Sequence, residues 1–308
     1  MPHLVVVIVS WNVRDLLETC LRCLVTDLSA SEHPADIWVV DNGSTDGSPR
    51  LVAEAFPQVH LVASRENLGF AAGNNLAIRA ILQNTQHATR NTKYVWLLNP
   101  DTEVQPGATA ALLAALEAHP RAGVAGAKLL YADGSLQQSA FRFPGLVQLA
   151  FEFFPLPRRF YDTPLNGRYP RHLYERETPF LVDHPLGATM MVRMETVIEV
   201  GLMDEGYRMY CEEIDWCWRM RRAGWGALCV PVARVIHHAG QSTAQVPIPS
   251  FVNLWTSRAR LYARYHGPLT WALAQALVRA GMRRRMRGAA PAMATACQQV
   301  VHAWEKAR

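Results

Sequence analysis

The chain has 308 residues, half of them hydrophobic and 19% charged, with 31 Lys and Arg against 26 Asp and Glu. That apolar content excludes an intrinsically disordered chain, and the length suffices for one large α/β domain with or without an appendage. The longest plainly apolar runs, residues 4–9 and 271–278, fall far short of the ~20 residues that a bilayer-spanning helix needs.

Residues 1–3 lead into a β-branched run with neither a basic segment nor a small-residue cleavage site, which predicts no secretory signal and a cytoplasmic chain. Six cysteines suit a reducing compartment. Cys20 and Cys23 form a CxxC without a second pair at zinc spacing, inside an apolar helical pattern, and read as core thiols. Charge is distributed unevenly. Residues 250–308 hold ten Lys and Arg against Glu305 alone, while the first 249 hold 21 bases and 25 acids. Such a tail points to an anionic partner: a membrane surface, a lipid phosphate or nucleic acid.

Residues 4–9 (LVVVIV) have the continuous β-branched character of a strand buried on both faces of a parallel sheet. A helical pattern over 13–28 follows, then a strand over 37–40 ending at Asp41. The turn-rich segment 42–49 leads to a helix over 51–56, a strand over 59–63, a helix over 70–82 and a strand over 94–98 that ends in Asn99-Pro100-Asp101. This alternation predicts repeated βα units and a mostly parallel central sheet flanked by helices. Beyond it the pattern gives a helix over 108–118, a strand over 124–130, and a Pro- and aromatic-rich stretch over 141–183 that reads as a long loop or variable subdomain shaping the acceptor side. A strand over 186–192, a helix over 209–223, two short strands over 227–230 and 234–236 and a mostly helical tail complete the chain.

In open parallel sheets ligands bind at the carboxyl ends of the strands. Those ends carry Ser10-Trp11-Asn12, Asp41-Asn42-Gly43-Ser44 and Asn99-Pro100-Asp101. An acid ending the second strand would suit NAD, but the first turn, SWNVRD, has no glycine to admit a pyrophosphate, so a different nucleotide is favoured. Asp101 can meet a Mg²⁺ or Mn²⁺ bound to a diphosphate, or else cap a turn. Glu212, Glu213 and Asp215 sit at the head of an amphipathic helix, where the helix dipole favours acids and Asp215 can pair with Arg219. With Glu212 and Asp215 serving the helix start, Glu213 is left as a base. His237 and His238 end a β-rich stretch, where an imidazole could ligate a metal or form a solvated edge.

In this order the segments VVIVSWN, VVDNGSTDGS, ENLGFAAGNN, LLNPDTEV, GATMMVR, GLMDEGYRMYCEEIDWCWRMRRAGW and VIHHAGQST, over residues 3–243, resemble glycosyltransferase family 2 and its rhamnosyltransferase-like bacterial members. The resemblance implies a GT-A type α/β fold. A catalytic domain over 1–245 would comprise a nucleotide-binding half to about 105 and an acceptor half beyond it, with a helical basic extension over 246–308. It further implies that Asp41, Ser10 and Trp11 line the nucleoside pocket, flanked by Asn67, Gly69 and Asn74. Asn99 and Asp101 match the family's metal motif with Asn in its first position, so that one carboxylate, closed by His237 rather than His238, would hold a divalent Mg²⁺ or Mn²⁺. Glu213 matches the catalytic base of an inverting transfer, in which the cation and cationic side chains offset charge on the departing diphosphate.

The activity so implied is transfer of rhamnose from dTDP-rhamnose, or of galactofuranose, GlcNAc or another hexose from UDP, to a lipid-linked or polysaccharide acceptor. A catalytically silent glycan- or nucleotide-binding module is the rival, which Asp41, Asp101, Glu213 and His237 together oppose. Residues 269–308 would either lie on an anionic bilayer at the cytoplasmic face of the inner membrane, as an apolar stretch followed by arginines suggests, or pack on the catalytic domain with their arginines solvated. Nucleic acid is not expected, because the arginine cluster lacks interleaved aromatics.

Overall fold

In the computed structural model, which describes residues 4–31, 35–83, 92–154, 157, 160–161 and 163–308, the first β-branched run forms β1 (Leu4–Ser10), buried throughout. Its pleat divides the molecule: Leu4, Val6 and Ile8 enter one apolar core, and Val5, Val7 and Val9 another on the opposite face. The chain continues through α1 (Arg14–Ala30), β2 (Ala35–Asp41), α2 (Ser48–Ala55), β3 (His60–Ala63), α3 (Phe70–Gln83), β4 (Tyr94–Leu98) and β5 (Thr102–Val104). Next come α4 (Ala108–Ala118), β6 (Ala122–Leu130), β7 (Leu136–Gln137), β8 (Ala140–Phe141), α5 (Leu146–Phe153), α6 (Arg171–Tyr174), β9 (Phe180–Val182), β10 (His184–Pro185) and β11 (Thr189–Arg193). The last elements are α7 (Met194–Val200), α8 (Glu212–Arg222), β12 (Gly226–His237), α9 (Gln241–Ala244), α10 (Pro247–Tyr265), α11 (Pro268–Met286) and α12 (Pro291–Lys306).

The main sheet has the order β3-β2-β1-β4-β11-β6-β12-β5. It is mixed: β1 pairs in parallel with β2 and β4, and β6 with β12, whereas β11 lies antiparallel between β4 and β6. Helices α1, α2 and α4 supply Leu17, Leu21, Val52, Leu112 and Leu116 to one core, and α3, α7 and α8 supply Ile78, Val197, Trp216 and Met220 to the other. Asp27 of α1 accepts the backbone N–H groups of Gly107 at 2.6 Å and Thr109 at 2.9 Å, which gives partners to donors that the start of α4 leaves open. Cys20 is buried beside Thr102, and burial pushes its thiol up to about 12. Cys23 is half-buried and all six cysteines are free, so the CxxC is packing.

The structure adds to the sequence expectations at several places. The two short strands over 227–236 are one strand, β12, because its ladder with β6 shifts register between Val230 and Arg234 and so carries pairing past Pro231. β5, three residues long and too short to show a period, pairs antiparallel with the end of β12, Thr102 opposite His237. The stretch 141–183, expected as a long loop or variable subdomain, takes the second form in part: it contains α5, whose Leu149 and Phe153 join Trp255, Trp271, Val278 and Trp304 of α10, α11 and α12 in a separate apolar cluster. Gly281 permits this packing, since a Cβ there would overlap the Phe153 ring. Residues 155, 156, 158, 159 and 162 of that stretch lie outside the described residues.

Candidate active site

The parallel strands β1, β2 and β4 end together, Ser10 beside Asp41 and Ile8 beside Leu98, and a cavity of about 320 Å³ opens at those ends. Ser10, Trp11, Asn67, Gly69, Asn99, Asp101, Glu213 and His237 line it. Two expected residues do not. Asn74 is buried within α3 and donates to the Phe70 carbonyl at 2.9 Å. Asp41 lies just behind the wall: one oxygen accepts the Ser44 N–H at 2.9 Å, and the other is buried without a partner. Asn42, from the expected strand end, also lines the cavity, and so do Glu212 and Gln241, which sequence reasoning did not place there. The Ser10 hydroxyl and the Asn42 side-chain oxygen are also buried without partners, and such groups cost stability unless a ligand or water completes them.

The wall between β1 and α8 is fixed by backbone geometry. The Asn67 side chain accepts the Gly69 N–H at 2.9 Å, and the Phe70 N–H donates to the Arg208 carbonyl at 3.2 Å. Gly69 has φ +88°, and a Cβ would collide with that carbonyl. Gly69→Ala is therefore expected to cost about 2 kcal/mol or more, read as a lower urea midpoint at unchanged m-value. An unchanged midpoint would show that the 64–70 loop moves aside freely. Tyr210 and Cys211 both have φ +69°, which is costly for residues other than glycine and brings the chain sharply into α8.

Asp101 and His237, both buried, are brought together by the β5–β12 pairing, with His237 Nε2 3.4 Å from Asp101 Oδ1. His237 Nδ1 lies 2.9 Å from Gln137 Oε1. A carbonyl oxygen can only accept, so Nδ1 is the donor in this contact, and in the neutral imidazole Nε2 would then present its lone pair on the Asp101 side. Two electron-rich atoms at this separation on a cavity wall suit adjacent ligands of a divalent cation. Among the described residues no group of three His, Cys, Asp or Glu could hold a metal ion. The described lining holds no Lys or Arg, so the expected cationic side chains are not at this wall. His238 does not line the cavity: its Nε2 sits 2.6 Å from Glu103 Oε1.

The acids at the head of α8 divide differently from expectation. The residue before the helix, Cys211, makes no side-chain cap, and Asp215 points away from the cavity. Asp215 is fully buried and bound to Arg219 at 2.8 Å, the Tyr265 hydroxyl at 2.8 Å and Arg264 at 3.0 Å. Glu212 is buried with one oxygen unpartnered; burial, and then the neighbouring Glu213 charge, raises its pKa well above the usual range. Glu213 is half-buried, near Gly187. Burial raises its pKa from 4.5 to about 7, against the opposing pull of backbone N–H groups at the helix start. A carboxyl poised there can exchange protons near neutrality, which an ordinary glutamate does poorly.

The family model "Glycosyl transferase family 2" matches residues 5–200. The N-acetylglucosaminyl-diphospho-decaprenol L-rhamnosyltransferase of Mycobacterium tuberculosis is 32% identical over 300 residues, 92% of this chain and 95% of the relative. The rhamnosyltransferase WbbL of Escherichia coli is 27% identical over 56% of this chain and 61% of its own length. Two solved structures share the fold. One is GalNAc-T7 with UDP, GalNAc and Mn²⁺, with a TM-score of 0.59 at 15% identity over 97% of this chain and 54% of that one. The other is the Pyrobaculum calidifontis mannosyltransferase PcManGT with GDP-Man and Mn²⁺, with a TM-score of 0.56 at 16% identity over 99% and 87%. With a GT-A sheet, a cavity at its strand ends and a relative of almost equal extent, the chain belongs to glycosyl transferase family 2.

Proposed function

We propose that the chain is an inverting, metal-dependent rhamnosyltransferase that moves rhamnose from dTDP-rhamnose to a hydroxyl of a sugar carried on a polyprenyl diphosphate, in the building of a cell-surface glycan. The observation that carries this reading is one cavity holding both Glu213, with its raised pKa, and the Asp101–His237 pair. The unpartnered Ser10 and Asn42 oxygens on the cavity wall offer the nucleoside hydrogen-bond partners. Asp101 Oδ1 and His237 Nε2 would hold the ion, and donation from Nδ1 to Gln137 would leave Nε2 free to ligate. When bound, that ion supplies positive charge to the departing diphosphate. Glu213 takes the proton from the acceptor hydroxyl as its oxygen attacks the anomeric carbon, and inversion follows from attack opposite the leaving group. The acceptor class is drawn from the names of the relatives.

The test is thermal shift with dTDP-, UDP- and GDP-sugars, each with Mn²⁺, Mg²⁺ or EDTA. A ligand at ~100 times its dissociation constant stabilises by about 2.7 kcal/mol, and a shift with dTDP-rhamnose that needs the metal is expected. Asp101→Ala should abolish the metal-dependent part while leaving the fold intact without ligand. A shift only with a UDP-hexose would reassign the donor, and no shift with any nucleotide would overturn the donor site.

A further inference from the structure

Helix α11 is apolar on two opposite faces, and only one of them is covered. Trp271, Ala274, Val278, Gly281 and Met282 are buried against α5 and α12. On the other side Leu269, Ala272, Leu273, Ala276, Leu277 and Ala280 recur at helical spacing along one stripe. Leu269 is 75% and Leu273 48% exposed. The stripe borders a groove that Leu277 lines together with Val147, Ala150 and Phe151 of α5 and Phe154 just beyond it, with Val147 49% and Phe154 42% exposed. Exposed leucines on one helix beside an exposed valine and phenylalanine at α5 form an apolar patch of the kind that marks an interaction surface.

The charge at its end indicates what covers it. One helical turn beyond Ala280 the same stripe becomes Arg283, Arg284 and Arg287, all exposed and with no ion pair among the described residues. The other arginines of this helix are engaged: Arg279 pairs with Glu305 at 3.1 Å and Arg285 stacks over Phe251. No helix among the described residues is long and apolar enough to cross a membrane. An apolar stripe of a few turns that runs into unpaired arginines matches a helix lying in the interface of an anionic bilayer, with leucines among the acyl chains and guanidinium groups at lipid phosphates.

We propose that the exposed face of α11, with the adjoining face of α5, docks the enzyme on an anionic membrane surface. The two expectations for the tail then hold together, because α11 packs on its own protein through one face and meets lipid through the other. The purpose of the docking rests on the polyprenyl-linked acceptor proposed above, whose sugar is confined to the bilayer surface; the geometry does not.

The experiment is flotation of the full chain with vesicles of phosphatidylcholine alone or mixed with phosphatidylglycerol, without donor or acceptor. Wild type should float with the anionic vesicles and be released by salt. The double variant Leu269→Glu, Leu273→Glu changes only exposed side chains, so it should keep its thermal midpoint and its nucleotide shift yet stay in the aqueous fraction. Each arginine beside the surface contributes about fivefold to partitioning, so Arg283→Ala, Arg284→Ala, Arg287→Ala together should weaken binding on the order of 100-fold. Wild type that ignores anionic vesicles, or a Leu269→Glu, Leu273→Glu chain that floats as well as wild type, overturns the proposal. A dimer in sedimentation that the leucine variant splits, without flotation, assigns the face to a second copy and overturns it equally. Transfer to a soluble acceptor fragment, measured separately, reads the catalytic proposal, so the two can fail independently.

Discussion

Glu213→Gln is expected to lower turnover by about 10² or more while leaving the metal-dependent nucleotide shift intact. Gln keeps the size and hydrogen-bonding reach of the side chain but cannot accept the proton of an attacking hydroxyl. Near wild-type turnover would remove Glu213 from the mechanism. The raised pKa adds a signature in pH that a merely structural carboxylate would lack. Because the group must be ionised to act, kcat/KM for wild type should rise with pH and level off above about 7, and the residual rate of the variant should lack that limb. Stability should run in the opposite direction. Between its usual 4.5 and about 7 the folded state holds a proton that the unfolded state has released. The contribution of Glu213 to stability is therefore fully present below pH 4.5 and lost as pH rises through 7. The variant has no charge to bury, so its thermal midpoint should match that of wild type near about pH 4 and exceed it near about pH 8. A variant less stable than wild type at the higher pH would contradict the burial argument. The ionised base thus costs the enzyme stability at the pH where it works.

Much of this site is legible in the sequence because it lies on local signals. The parallel half announces itself through β-branched runs and turn formers, and the rule that ligands sit at strand ends brings Ser10, Trp11 and Asn99 to the cavity before any coordinates are known. The pairing of Asp215 with Arg219 follows from helical spacing alone. What stays hidden is long-range. No local period marks β5, so nothing in the sequence tells that Thr102 pairs with His237 and thereby sets Asp101 against an imidazole more than a hundred residues later. His237 and His238 are neighbours with identical side chains, yet His237, the last residue of β12, lines the cavity, whereas His238, one residue past the strand, meets Glu103. The resemblance favoured His237 over His238, and it is His237 that lines the cavity, a distinction no period makes. Helix α5 was obscured for a different reason: flanked by prolines and aromatics, it finds its partner in helices about 110 to 150 residues further on, and its apolar content has no local explanation.

Asp215→Ala is expected to be the most destabilising single change in the site region, by about 3–5 kcal/mol, read in the urea midpoint. Asp215 is 0% exposed and accepts from Arg219, Tyr265 and Arg264, with the Tyr207 hydroxyl 3.4 Å away. Arg219 and Tyr207 lie beside it on the catalytic body, whereas Arg264 and Tyr265 come from the last turn of α10, so one carboxylate ties α8 to the C-terminal helices. Its removal leaves the Arg219 guanidinium mostly buried, still donating to the Val200 and Leu202 carbonyls but without a counter-charge. Arg264→Ala should cost much less, since Arg264 is partly exposed and Asp215 keeps Arg219. The asymmetry discriminates: equal losses for the two variants would mean that the contact with α10, rather than the neutralisation of a buried charge, holds α8 in place. Asp215 lies two residues after Glu213 on the same helix turn, so in Asp215→Asn, which keeps most hydrogen bonds, kcat should fall while donor binding stays near wild type. Loss of donor binding alone, with kcat retained, would mean that α8 orients the nucleotide wall and not the base.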